Sequence, residues 1–157
     1  MRSRVLVAVR VGVVAEVAFD KFTREIGQWW RPNALFAFSA RKPGRLTMQP
    51  GVGGRLIETY DDGSELEIGR IKVWEPPSRL VVGWRPASFT EDQETEVHVR
   101  FDALDGETRV TVEHYGWDAI PARHAARHGF PLHAFQQRLA EWWQVLLASY
   151  RAAALQR

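Results

Sequence analysis

Cysteine is absent from the 157 residues of the chain. Its absence excludes disulfide bonds, a thiolate nucleophile and any metal site with cysteine ligands, and it is compatible with a reducing cytosol. Common catalytic patterns are missing as well, because the sequence has no Ser-His-Asp order and no paired-carboxylate pattern. The glycines at 51, 53 and 54 precede a strand instead of a helix, so they do not form a phosphate-binding loop.

Long hydrophobic runs and a charge excess of one sign are also absent. No segment reaches the apolar length that a membrane span needs. The start resembles a signal peptide, but Arg10 interrupts its apolar run and no cleavage site follows, so we predict a strand there and a cytoplasmic location. The 21 Lys and Arg nearly balance the 19 Asp and Glu, and they form no cluster, which argues against nucleic-acid binding. No linker divides the chain, so we expect one domain over residues 1–157.

What the sequence does contain is a β-meander with marked corners over residues 51–84. The segment Asp61-Asp62-Gly63-Ser64 supplies turn chemistry, with Gly63 able to take positive φ. Glu75-Pro76-Pro77-Ser78 ends the next strand, because proline cannot donate to a strand ladder. Three strands are therefore predicted, ending near residues 60, 74 and 85.

The flanking segments complete an α+β order. Residues 3–13 alternate as a strand, residues 14–23 and 24–31 follow as two short helices, and a short strand is predicted at 46–49. Asp105-Gly106 predicts a hairpin between strands at 95–102 and 108–114. Apolar residues recur at helical spacing from Phe135 to Tyr150, which predicts a long C-terminal helix. A curved antiparallel sheet would bury one face against that helix.

Several motifs carry a resemblance to a known family. They are Trp29-Trp30, Pro50-Gly51-Val52-Gly53-Gly54, Asp62-Gly63, Gly69-Arg70-Ile71, Trp74-Glu75-Pro76-Pro77-Ser78-Arg79-Leu80, Trp84 and the strand from Thr108 to His114. With this element order, the chain resembles the helix-grip fold of the SRPBCC (START/birch-pollen-allergen-like) superfamily, and within it the bacterial Hsp90 ATPase activator homologue-like proteins. The resemblance implies a cavity between sheet and helix, which members of the superfamily use for lipids, sterols or polyketide intermediates.

Seven residues are our candidates for lining that cavity: Trp30, Glu58, Trp84, Phe101, His114, Trp143 and Leu146. The seven tryptophans of the chain either fill a core or line a cavity, and both interpretations stay open. His114 continues an inward-facing stripe, either as a satisfied core residue or as a ligand contact. Glu58 faces inward with Leu56 and Tyr60, where its charge needs a partner such as His114, or else it faces water.

The segment from Trp117 to Pro131 is longer and more basic than the family leads us to expect. Pro121 and Gly129 predict a short helix between them, and the few apolar anchors predict a mobile lid. His124 and His128 would share one face of that helix at zinc-ligand spacing, but no glutamate follows His124 in the metalloprotease manner. We expect solvated histidines, no metal and no cofactor.

Three functions follow from these observations. The first is binding of a small hydrophobic or aromatic molecule in the cavity. The second is a cyclase- or hydrolase-type enzyme with His114 and Glu58 as acid and base. The third, implied by the family resemblance, is a co-chaperone-like regulator of an Hsp90-type ATPase. A homodimer and an Hsp90-like protein partner both stay open.

Overall fold

The computed structural model describes residues 3–156 as a curled antiparallel sheet that grips a long helix. The elements are β1 (Arg4–Val11), α1 (Ala15–Arg24), α2 (Ile26–Trp29), β2 (Arg45–Met48), β3 (Arg55–Thr59), β4 (Glu65–Glu75), β5 (Arg79–Trp84), β6 (Thr95–Leu104), β7 (Glu107–Tyr115) and α3 (Leu132–Ala154). Short 3-10 turns lie at Ala34–Phe36, Trp117–Ala119 and Ala125–Arg127. The predicted α+β helix-grip fold is confirmed.

The sheet order is β1-β7-β6-β5-β4-β3-β2. The first strand, β1, therefore pairs with the last strand, β7, at one edge of the sheet. Strands β2 and β3 lie at the opposite edge. Three strands separate β3 from β7. Inward-facing residues on β3 and on β7 therefore lie on separate parts of the sheet.

The predicted turns form as the sequence indicates. Asp105 and Gly106 have φ of 40° and 83°, the two left-handed positions of a tight hairpin turn, and they bring Leu104 opposite Glu107. Gly63 has φ of 85° at the turn before β4. Both turns therefore fix the register of the strands that they join.

The core lies between the concave face of the sheet and α3. Helix α3 directs one stripe into it, made of Phe135, Leu139, Trp142, Trp143, Leu146, Leu147 and Tyr150. Helix α1 covers one end of this core with Phe19 and Phe22, whose rings contact Phe101 at centroid distances of 5.0 and 5.7 Å. Within residues 3–156, no helix is long and apolar enough to cross a membrane.

The segment between β7 and α3 differs from its prediction. One 3-10 turn precedes Pro121 at Trp117–Ala119, and a second 3-10 turn at Ala125–Arg127 stands in place of the one short helix predicted between Pro121 and Gly129. Gly116 and His128 adopt left-handed φ of 104° and 54°, and such residues break a helix. The second turn is therefore limited to one turn in length.

Close packing of β4 on β5 predicts a strict requirement for glycine at 69. A Cβ added at Gly69 would lie 1.7 Å from the carbonyl oxygen of Gly83, so the two strands would have to separate. We expect Gly69→Ala to lower the free energy of unfolding by about 1–3 kcal/mol, as overpacking does, measured by chemical denaturation. Gly12→Ala is the control, because its Cβ would meet only the end of the Leu155 side chain at 3.3 Å. Equal stability of the two variants would contradict the packing argument.

Candidate functional site

Aromatic rings fill the middle of the space between sheet and helix. The ring of Trp30 is at their centre, with centroid distances of 5.6 Å to Trp84, 5.4 Å to Trp142 and 6.2 Å to Trp143. Trp143 is only 1% exposed. The middle of the cavity that the family resemblance implied is thus occupied by side chains, and open space that aromatic rings line lies beside it, around residues 34–40.

That open space consists of two clefts on either side of residues 34–40, which we call the 34–40 loop. Each cleft has a volume of about 490 Å³. The first cleft is lined by Trp30, Glu58 and Trp142, and the second by Trp84, Trp117 and Trp142. Because the loop and Trp142 line both clefts, the loop is the wall between them.

The seven candidate residues divide between the clefts and the core. Trp30 and Glu58 line the first cleft, and Trp84 lines the second. The structure does not bring the other four to either cleft: Phe101, His114, Trp143 and Leu146 are buried in the core at 4% exposure or less.

Sequence reasoning missed the 34–40 loop and Trp142. Phe36 stacks on Trp142 with ring planes 11° apart and centroids 5.2 Å apart, and Phe38 stacks on Trp30 at 5.9 Å. The sequence does contain an indication of this loop, because Phe36 and Phe38 lie in a segment bounded by Pro32 and Pro43. Such a loop buries aromatic rings only if it folds back on the core.

His114 is a satisfied core residue. Its Nδ1 accepts from the indole N–H of Trp143 (3.2 Å), and its Nε2 lies 2.9 Å from the hydroxyl of Thr95. That hydroxyl also donates to the carbonyl of Trp84 (2.8 Å), and the indole nitrogen of Trp117 lies 3.1 Å from the same Nε2. With donors around it, the ring offers no place for a second proton.

Burial, with a smaller effect from His98, lowers the pKa of His114 to about 3. The structure therefore places a neutral imidazole in the core through the physiological pH range. A proton donor or acceptor for a ligand would have to come from another group.

Glu58 faces inward, which resolves the alternative left open by the sequence. Leu56 (0% exposed) and Glu58 (5%) lie on one face of β3, and Tyr60 (7%) follows the strand. The Tyr60 hydroxyl donates to Oε1 of Glu58 at 2.7 Å, and the backbone N–H of Gly44 donates to Oε2 at 3.3 Å. The expected pairing of Glu58 with His114 is wrong, since the two strands are separated in the sheet and each residue has its own partners.

Tyr60 stays protonated beside this carboxylate. The pKa of Tyr60 is raised, chiefly by burial; the hydrogen bond from Ser39 opposes this, and the hydrogen bond to Glu58 and the charge of Glu58 raise the pKa further. The guanidinium of Arg41 lies 4.1 Å from the ring centroid, and its charge lowers the pKa by the smallest of these effects. The balance keeps the phenol as a donor to Glu58.

The histidines at 124 and 128 do not share a helix face. Nδ1 of His124 accepts from the backbone N–H of Ala126 (3.0 Å) at the start of the second 3-10 turn, while His128 follows that turn and contacts the carbonyl of Leu35. The premise for zinc-ligand spacing is therefore wrong. Over residues 3–156 no group of three or more His, Cys, Asp or Glu is placed to hold a metal ion.

Arg127 braces the segment that the sequence predicted as a mobile lid. It is 4% exposed, and its guanidinium donates to the carbonyls of Ile120 (2.5 Å) and Phe130 (2.7 Å). Trp117 and Ile120 add two buried apolar anchors, at 3% and 2% exposure. This anchoring favours a fixed segment over a lid.

Amide hydrogen exchange tests that conclusion. In the wild-type protein we expect protection across residues 117–130, and in Arg127→Lys exchange there about tenfold faster or more, because one ammonium cannot reach both carbonyls. Arg123→Lys, at an exposed position of the same segment, is the matched control. Rapid exchange already in the wild type would restore the lid.

The neutral state of His114 predicts a dependence of stability on pH. Its pKa is lower in the folded than in the unfolded chain, so protons favour the unfolded state below pH about 6.5, and the stabilisation present above that pH is lost on acidification. We expect His114 to contribute a loss of about 1.4 kcal/mol per pH unit from pH 6.5 towards pH 3. Denaturation at several pH values should show this slope in the wild type and a shallower one in His114→Gln. Identical slopes would contradict it.

Comparisons with known proteins agree with this fold. Among solved structures, the synthase Txn09, described as an anthrahydroquino-gamma-pyrone synthase, is 27% identical with a TM-score of 0.57, and the alignment covers 95% of each chain. An Hsp90 activator from Plasmodium falciparum is 19% identical (TM-score 0.62, 96% of this chain and 94% of the other). The Aha1 dimer from Colwellia psychrerythraea is 13% identical (TM-score 0.64, 97% and 96%).

A search of curated proteins found no match. The model of the family described as "Activator of Hsp90 ATPase homolog 1-like protein" matches residues 13–149, which is most of the chain. The resemblance inferred from the sequence motifs is confirmed: the chain belongs to the Activator of Hsp90 ATPase homolog 1-like family.

Proposed function

We propose that the protein binds a small planar aromatic molecule in the clefts beside the 34–40 loop. The observation that carries the proposal is the chemistry of their walls. Trp142 and Phe36 present stacked ring edges and faces to both clefts, with Trp30 at the first and Trp84 at the second. Volumes near 490 Å³ are within the range of small-molecule sites, and flat aromatic walls favour offset stacking with a flat ligand.

The rigidity of these walls supports the same conclusion. Trp142 is fixed by its indole N–H, which donates to the carbonyl of Arg31 at 3.0 Å. The backbone N–H of Ala87 donates to the carbonyl of Phe38 at 2.7 Å and holds the loop. Walls that are already ordered lose little conformational freedom when a ligand binds, which favours affinity.

The comparisons add a parallel. The 27% identical Txn09 is named as a synthase of an aromatic pyrone compound, and we infer for this chain a ligand of similar flat, fused-ring chemistry. Catalysis by a His114–Glu58 pair has no geometric support, because those groups do not meet. The co-chaperone alternative is supported by the family description, whereas the aromatic clefts favour a small ligand.

Blocking the clefts tests this function. Ala37 is exposed and lines both clefts, so Ala37→Trp should reduce the open space beside the loop without removing any core side chain. We expect its affinity for flat aromatic probes such as 2-naphthol and anthraquinone to fall by about tenfold or more relative to the wild type, measured by calorimetry.

The matched control is Ala148→Trp, an equally bulky change on the exposed face of α3. It should bind the probes as the wild type does. If the wild-type protein binds none of these probes, or if Ala37→Trp binds them unchanged, the proposed function is wrong.

A further inference from the structure

Glu58 is a buried carboxylate without a cationic partner. It is 5% exposed and lines the first cleft, and no Lys, Arg or His of the described residues forms an ion pair with it. Its two oxygens accept one hydrogen bond each, from Tyr60 and from Gly44. An ionised carboxylate can accept about four, so two positions are left.

The hydrogen bonds around Glu58 have a fixed direction. A carboxylate only accepts, so Tyr60 gives its single hydrogen to Glu58. The contact of 2.9 Å between Ser39 and Tyr60 must then use the Ser39 hydrogen. Ser39 in turn accepts from the backbone N–H of Arg41 at 3.2 Å. The hydroxyl groups of Tyr60 and Ser39 therefore have no hydrogen left to donate to a ligand in the cleft.

Around Glu58 the first cleft therefore offers hydrogen-bond acceptors and no free hydroxyl donor. We propose that its ligand carries a hydroxyl group on the aromatic ring, a phenol, which donates to Glu58 while the ring stacks on the cleft wall. This inference rests on the function proposed above and specifies the ligand. The donor would fill the unused capacity of a buried charge, and such charge-assisted bonds are stronger than neutral ones.

A neutral hydroxyl fits better than an ammonium group or a carboxylate. Arg41 also lines the first cleft, but its guanidinium is paired with Asp62 at 2.9 Å; an ammonium group is disfavoured because it would lose its hydration among aromatic walls. An anionic ligand would meet the charge of Glu58 itself. A phenol avoids both penalties.

The experiment compares three probes on one scaffold: 2-naphthol, 2-methoxynaphthalene and 2-naphthylmethylammonium. Calorimetry with the wild-type protein should show about tenfold tighter binding of naphthol than of the methoxy compound, the usual effect of one hydrogen bond to a charged group. In Glu58→Leu the two compounds should bind with about equal affinity, and in Glu58→Gln the preference for naphthol should be intermediate. Each variant tests the inference by itself, so the test stands if one of them does not fold.

Glu141→Leu is the matched control, because it makes the same change at an exposed carboxylate of α3 outside both clefts. It should retain the preference for naphthol. Equal binding of naphthol and methoxynaphthalene by the wild type, a preference that survives in Glu58→Leu, or tightest binding of the ammonium probe would each overturn the inference while the aromatic site stands. Failure of the wild type to bind any naphthalene compound would instead overturn the proposed function.

Discussion

The packing of tryptophan rings between α3 and the concave face of the sheet is the interaction on which the rest of the structure depends. Trp143 links the two layers directly, since its indole N–H donates to His114 on β7 at 3.2 Å while its ring lies 5.7 Å from that of Trp84 on β5. Such rings bury large areas and have defined geometry. They therefore determine both how closely the sheet curls round the helix and how much of the enclosed volume remains open.

This filling moves the open space to the end of the fold that the 34–40 loop covers. The polar groups follow the same division. His114, in the filled part, has both ring nitrogens in contact with protein groups, whereas Glu58, at the cleft, has acceptor capacity left over. The ion pair of Lys72 with Glu96 at 2.7 Å, in contrast, lies at half-exposed positions on the surface. At Glu58 the cleft thus combines burial with a charge that has acceptor capacity left.

Much of the fold could be predicted from the sequence because its signals are local. Alternation gave the strands, Asp105-Gly106 gave a hairpin, and helical spacing gave α3. The site was harder, because Trp142 and Trp143 are neighbours with the same chemistry, and only the orientation of α3 decides that one lines the clefts and the other fills the core. Glu58 and His114 do not pair because of the sheet topology. Both side chains face inward, but Glu58 lies on β3 and His114 on β7, and three strands lie between them.

The 34–40 loop is where local signals end and tertiary contacts decide. It is held at separate points: the side chain of Asn33 accepts from the N–H of Leu35 at 2.8 Å, Ser39 contacts Tyr60 at 2.9 Å, and Phe38 accepts from Ala87 at 2.7 Å. These partners belong to three different parts of the chain, so no sequence window contains the information that places the loop. Because the same loop is the wall of both clefts, its length and its two phenylalanines set the size of the clefts. A loop can vary in length without changing the element order of the fold, so the open space depends on this segment more than on the sheet and α3.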